Sequence, residues 1–179
     1  MTDQIWRSPV GLASVFAAMS VAACATPDFH QTPDPCALPA GQTFVATGTA
    51  ELGVGDDFTA VTTGQSVDVV QGSQSLHMFV VNLRVQGLEV DDLNRPGGVD
   101  ATVLDASAMP LAADYGCRTR AFTEHTNGWA YAGGPYQVPV TDDVLARIDG
   151  TAVMLRVEVH DAAGHQAIDT RSVMAHVVP

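Results

Sequence analysis

Three histidines carry the most obvious chemistry in this sequence. His77 opens an alternating stretch, residues 76–88, just after a turn rich in glycine and serine, while His160 and His165 flank residues 161–164. If they were opposed across a plain four-residue loop, His160 and His165 would have Cβ atoms about 5 Å apart and could chelate copper or zinc. Asp161 and Gly164 occupy positions that favour a bulged turn instead, and that turn would separate the two rings.

Two aromatic residues offer a different chemistry. Trp129 and Tyr131 are two positions apart in a segment that has the character of a strand, so both side chains should point the same way. Such a pair can form a flat platform on which a sugar ring stacks, and it can equally serve as core packing or as a loop anchor. The sequence therefore predicts, as one alternative, a carbohydrate site at Trp129 and Tyr131.

Signatures of catalysis are missing from the sequence. It contains no Gly-x-Ser-x-Gly elbow, no His-Glu-x-x-His motif and no glycine-rich phosphate loop, and its glutamates are isolated. A blue-copper site needs a cysteine thiolate with two histidines and a methionine, and no such spacing occurs. We therefore predict that the protein is not an enzyme and has no cofactor.

The net charge of the chain limits the kinds of molecule that it can bind. The formal net charge is −12, and the eight basic residues are all arginines scattered along the chain. Such a chain should repel nucleic acid and anionic lipid headgroups, so neither is expected as a partner.

The N-terminus has the layout of an export signal. Arg7 precedes an apolar stretch, residues 11–23, which is too short to span a bilayer and leads to Cys24. The residues Val21-Ala22-Ala23-Cys24 resemble the lipobox of bacterial lipoproteins. The resemblance implies that residues 1–23, disordered or helical, are removed and that Cys24 is acylated. The protein would then be anchored to the membrane by lipid in the bacterial cell envelope, and Ala25 after the cysteine suggests transport to the outer membrane.

An ordinary cleaved signal is the alternative, since Ala23-Cys24-Ala25 also offers a small-x-small site. If Cys24 carries lipid, Cys36 and Cys117 form an even pair in an oxidising compartment, where a disulfide is expected. Residues 24–41, rich in proline, threonine and aspartate, read as a tether.

Residues 42–179 predict an all-β domain. Short alternating segments are separated by turn residues, and the longest segments are residues 76–88, 152–160 and 165–177. Only residues 141–148 suggest a helix. Because Ile168 suggests one parity and Val173 the other, a bulge is expected between them. The pattern predicts an antiparallel two-sheet sandwich.

The closing segment RVEVHDAAGHQAIDTRSV resembles the last two strands of bacterial immunoglobulin-like domains. The segment ELGVGDDF…GQSVDVVQGSQSLHMFVVNLRVQGL is similar to a pattern in uncharacterised exported bacterial lipoproteins. Ser75 replaces the second glycine of that pattern, which argues against a positive φ there. We expect an immunoglobulin-like, non-catalytic interaction module that meets a protein partner. The alternatives are a metal-binding sandwich using His77, His160 and His165, and a carbohydrate-binding module.

Overall fold

The structure, a computed structural model, describes residues 34–38, 40–72, 75–91, 94–111 and 116–178. All of them belong to one of the two units into which the chain divides, residues 32–179. The predicted signal segment, Cys24 and most of the tether lie outside the described residues. Within the described part, no helix has the length and apolar character needed to cross a membrane.

Twelve strands and one short helix make up the described chain. They are β1 Val45–Ala46, β2 Thr49–Val54, β3 Thr59–Ala60, β4 Ser66–Gln71, β5 His77–Gln86, β6 Gly97–Leu104, β7 Arg118–Arg120, β8 Phe122–Thr126, β9 Trp129–Ala132, β10 Tyr136–Val140, α1 Asp142–Ile148, β11 Ala152–His160 and β12 His165–Val177. The all-β prediction with one short helix is confirmed.

The strand β5 is the hub of the sheet, as its alternating pattern predicts. One side of β5 pairs with β4 and then with β2, and the other side pairs with β10 and β9. From β4 the sheet continues through β12, β11 and β6 to β7. The result is a curled sheet whose concave side holds the core.

Strand parity determines which side chains fill this core. Phe79, Val81, Leu83 and Val85 of β5 are buried. The same holds on β11, where every second residue from Val153 to Val159 is buried. Burial of large aliphatic and aromatic side chains on this scale contributes roughly 1.5–3 kcal/mol for each one.

The sheet is mixed rather than wholly antiparallel, which corrects the predicted pairing. The two ends of β12 take parallel partners, β1 beside His165 and β4 beside Met174–Val177. Such pairs join strands that are far apart in sequence, so local turn signals do not reveal them. The remaining pairings are antiparallel.

The expected bulge in β12 is absent, because β11 and β12 pair in unbroken register from Ala152–Met174 to His160–Gln166. The parity conflict has another cause: Ile168 faces outward, 38% exposed, and Asp169 takes the inward position. The Asp169 carboxylate accepts a hydrogen bond of 2.9 Å from the Leu52 N–H.

Two loop features complete the fold. A disulfide joins Cys36 to Cys117, as predicted, and its sulfur atoms occupy the space that a side chain at Gly98 would need. In a loop-entropy argument, a bridge closing a loop of this length stabilises the fold by about 4 kcal/mol. Ser75 has a φ of 61°, so the argument against a positive φ at that position was wrong.

Candidate functional site

The outer face of the β2–β5–β9 sheet carries a cluster built around Arg84. Arg84 lies on β5 directly opposite Glu51 of β2 and Tyr131 of β9. Its Nε donates to Glu51 at 2.7 Å, its Nη2 also donates to Glu51, and its Nη1 donates to the Tyr131 hydroxyl at 3.0 Å. Both charged side chains are about four-fifths buried. Charge-assisted hydrogen bonds of this kind are stronger than neutral ones.

Aromatic rings enclose the same guanidinium group. Its central carbon lies 4.5 Å from the centroid of Phe58, 4.4 Å from that of Trp129 and 5.7 Å from that of Tyr131. Cation–π contacts of this kind contribute about 0.5–2 kcal/mol each, depending on desolvation. We call Glu51, Phe58, Arg84, Trp129 and Tyr131 the arginine–aromatic cluster.

These contacts affect the ionisation of Arg84. Partial burial by itself lowers the pKa of the guanidinium, but its hydrogen bonds to Tyr131 and Glu51 outweigh burial and hold the pKa above its ordinary value. Arg84 therefore stays charged, and Glu51 neutralises it within the cluster.

Phe58 reaches this cluster through an unusual backbone. It closes the turn between β2 and β3, where its N–H donates to the Gly55 carbonyl at 3.2 Å, and it has a φ of 49°. A left-handed conformation costs a non-glycine residue roughly 1–2 kcal/mol. The ring lies against Gly53, where an added Cβ would come within 2.7 Å of it. The turn and the glycine thus fix the position of the ring.

A cleft of about 370 Å³ lies next to the cluster. Its lining includes Val80 and Asn82 of β5, Glu124 of β8, the Gly133-Gly134-Pro135 segment after β9, and Gly55, Asp56 and Phe58 of the turn between β2 and β3. The volume is at the small end of the range for ligand pockets, about 300–1,000 Å³. Phe58 and Tyr131 belong both to the cluster and to the cleft wall.

A second polar group, at the β11–β12 turn, is closed. Asp161 is fully buried, and its carboxylate accepts hydrogen bonds from the backbone N–H groups of Glu89, Ala163 and His165 at 2.9–3.0 Å. The His165 ring contacts the same carboxylate at 2.9 Å. Burial tends to raise the pKa of Asp161, but these donors outweigh burial and hold the pKa below its ordinary value. We call Asp161, His165 and the Glu89 amide the Asp161 junction.

His160 is buried beside this junction. Its ring stacks on Phe44, with centroids 3.9 Å apart, and neither ring nitrogen has a hydrogen-bond partner in the described part of the chain. Burial lowers the pKa of His160, and the nearby Glu158 carboxylate opposes this only in part. The neutral ring is therefore the form that the fold prefers.

The three predicted metal-ligand histidines do not meet. His160 pairs with Gln166 rather than with His165, as the bulged turn predicts. His77 lies near the other end of β12, because its partner β4 runs beside Met174–Val177. At about 3.3 Å per residue, the length of β12 separates the two places by tens of ångströms. No group of three His, Cys, Asp or Glu side chains that could hold a metal occurs among the described residues.

Trp129 and Tyr131 do meet, on the face that their spacing predicts. Their role is more specific than the predicted platform, since both rings contact Arg84. Sequence reasoning missed Phe58, Arg84, Asn82 and Glu124. The alternating pattern of β5 placed Asn82 and Arg84 together on its outer face, but nothing local indicated that Phe58 would turn onto them.

Comparison of the chain with protein-family models, with curated proteins and with solved structures finds no match.

Proposed function

We propose that this protein is a non-catalytic binding module, exported to the bacterial cell envelope and anchored there by lipid on Cys24. The observation that carries the binding role is the preformed surface made by the arginine–aromatic cluster and its cleft. A strained turn, a glycine and a neutralised ion pair hold that surface in place. Residues held in sparsely populated conformations are concentrated at functional sites.

Two features support the envelope location. The lipobox resemblance at Val21–Cys24 supplies the anchor, and the Cys36–Cys117 disulfide is typical of oxidising compartments. Cys36 follows Cys24 closely, so an extended tether between them would span at most about 40 Å. The binding surface would then be presented within a short distance of the membrane.

We also propose that the fold is immunoglobulin-like. The strands β6, β11 and β12 would form one layer and β2, β5 and β10 the other, with β4 joining the layers because it pairs with both β12 and β5. The route of the N-terminal segment supports this division, since β1 pairs with β12 and β2 then pairs with β5. Strands that switch between sheets are one way in which sandwiches make their corners.

Among the alternatives, carbohydrate binding is the one that a specific observation favours. Trp129 and Tyr131 lie together over Arg84, beside a cleft that combines aromatic, amide and carboxylate groups. The metal-binding alternative has no comparable support, because His77 and the pair His160 and His165 lie far apart.

Intact-protein mass spectrometry of membranes tests the anchor. The wild-type chain should lack residues 1–23 and carry lipid on Cys24, whereas Cys24→Ser should be neither acylated nor retained in the detergent phase. The double variant Cys36→Ser/Cys117→Ser is the matched control and should keep its lipid. An unmodified Cys24 in the wild-type protein would contradict the anchor.

Binding to isolated cell envelopes tests the surface. Trp129→Ala should reduce cosedimentation of the protein with envelopes by about tenfold, because the residue belongs to the cluster. Met109→Ala removes an apolar side chain that is 62% exposed and lies outside the cluster, and it should bind like wild type. Equal binding by the Trp129→Ala variant would contradict the proposed surface.

A further inference from the structure

The cleft beside the arginine–aromatic cluster has walls of defined chemistry. Val80 and Asn82 lie in adjacent outward positions of β5, and Phe58 and Tyr131 bring two aromatic rings to the lining. Gly133 and Gly134 line another part without side chains, which allows a ligand to approach the backbone closely. The lining thus joins a ring surface to polar groups within one small volume.

The charges of the cleft disfavour an anionic ligand. Asp56 and Glu124 both contribute to the lining, and none of the described residues that line the cleft is cationic. Arg84 lies behind the aromatic rings and is already paired with Glu51. A carboxylate, sulfate or phosphate group in the cleft would meet two like charges without a counter-charge.

The rings give a cationic ligand no cage, and its attraction to the exposed Asp56 and Glu124 carboxylates is screened by solvent. Aromatic faces attract cations, but here Arg84 already lies 4.5 Å from the Phe58 centroid and 5.7 Å from the Tyr131 centroid. The two rings meet edge to face, with centroids 5.5 Å apart and an interplanar angle of 89°, so they do not form a parallel cage around a second cation. Their remaining surface suits the C–H groups of a neutral ring.

The polar groups of the cleft fit hydroxyl groups. Carboxylates accept hydrogen bonds from hydroxyls, and Asp56 and Glu124 together offer four oxygens. The Asn82 side-chain nitrogen donates to the Gly55 carbonyl, which fixes the amide and directs its oxygen to act as a further acceptor. The Tyr131 hydroxyl accepts from Arg84, so its own proton can be donated.

From these contacts we infer that the cleft binds a short neutral saccharide, which packs its C–H groups against the exposed surface of Phe58 and Tyr131 and donates hydrogen bonds from its hydroxyl groups to Asp56 and Glu124. This inference rests on the proposed binding function and names its ligand class. The small volume selects one or two sugar rings rather than the middle of a long chain.

A titration with sugars that differ mainly in charge tests the inference. The mature, lipid-free Cys24→Ser chain is titrated with glucose, N-acetylglucosamine and their β-linked dimers as neutral probes. Glucuronic acid is the anionic probe and glucosamine the cationic one. Binding is followed by amide chemical shifts and by tryptophan fluorescence, because Trp129 is the only tryptophan outside residues 1–23.

The expected result is saturable binding of at least one neutral probe, with at least tenfold weaker binding of glucuronic acid and glucosamine. Glu124→Gln and Asp56→Asn should each weaken the neutral probe by about tenfold, the usual effect of losing one charge-assisted hydrogen bond. Asp57→Asn is the matched control, since Asp57 is the next residue of the same turn, carries the same charge and does not line the cleft. Its affinity should stay within about twofold of wild type.

Three results would overturn the inference. They are tighter binding of glucosamine, tighter binding of glucuronic acid, and no binding of any neutral probe. The envelope assay separates these outcomes from a failure of the proposed function. If Trp129→Ala still loses envelope binding while no sugar binds, the binding module stands and only its ligand class is wrong.

Discussion

The arginine–aromatic cluster and the Asp161 junction use similar residues for different ends. Each centres on one charged side chain that several donors or acceptors surround. The Asp161 carboxylate is fully buried and its four contacts come from backbone and side chain alike, so it has no capacity left for a ligand. Arg84 uses three of its five N–H groups in hydrogen bonds to Glu51 and Tyr131, and the rings that surround it extend to a cleft. A fully bonded carboxylate in a closed site stabilises the fold, whereas a paired cation beside a cleft positions a surface.

Removing the Asp161 carboxylate should cause the largest loss of stability. Asp161→Ala leaves the partly buried N–H groups of Glu89 and His165 without their acceptor, and we expect a loss of about 3–5 kcal/mol in the free energy of unfolding. Chemical denaturation measures it. Asp105→Ala is the matched control, because Asp105 accepts two amide bonds in an exposed loop and should lose about 1 kcal/mol. Equal losses of stability in the two variants would show that the Asp161 junction stabilises the fold no more than an aspartate in an exposed loop does.

Removing the Arg84 charge should affect stability less and binding more. Arg84→Met keeps the length and packing of the side chain but loses the ion pair and the cation–π contacts, so we expect a loss of about 1–2 kcal/mol of stability. Because Phe58 and Tyr131 lose the group between them, saccharide affinity should fall by more than tenfold. Wild-type saccharide affinity in this variant would show that the arginine–aromatic cluster does not contribute to binding.

The pH dependence of stability should distinguish His160 from the neighbouring Asp161 junction. The folded-state pKa of His160 is lowered, so its contribution is complete above the ordinary value of 6.5 and is lost as pH falls through the folded pKa. The folded-state pKa of Asp161 is also lowered, and its contribution is lost only as pH falls below about 3.8.

Denaturation midpoints measured from pH 8 to pH 3 should therefore fall in two stages. His160→Phe keeps an aromatic ring against Phe44 and should abolish the first stage only. A first stage that persists in this variant would assign the pH dependence to another group.

The smallest effect on stability is expected at Gly53. In Gly53→Ala the new methyl group would come within 2.7 Å of the Phe58 ring, which must move. We expect a stability change of about 1 kcal/mol or less, because the ring lies at the surface of the sheet. Saccharide affinity should nevertheless fall several-fold. Unchanged affinity, with the ring displaced in a structure of the variant, would show that Phe58 does not contact the ligand.

The two regions also differ in how far the sequence predicted them. The hairpin around Asp161 was predicted down to its bulged turn, because the turn chemistry of Asp161 and Gly164 is local. The cluster draws on β2, β5, β9 and a turn, so only the shared face of Trp129 and Tyr131 could be foreseen. Asp169 shows a related limit: an aspartate in a strand suggests an outward position, and its distant partner at Leu52 cannot be seen from the local pattern.

The strand β10 marks a further limit. Tyr136, Val138 and Val140 alternate and are buried, with Pro139 between the last two, and this strand was not predicted from the sequence. In the described part of the chain β10 pairs only with β5, and an edge position of this kind tolerates proline.

Amide chemical-shift mapping with a bound neutral disaccharide tests the central claim most directly. We expect the largest chemical-shift changes at the cleft, at Gly55, Asn82, Glu124 and Gly134, and no change in the amide shifts of residues 160–165. Largest shifts at residues 160–165 or around His77, with a quiet cleft, would contradict it.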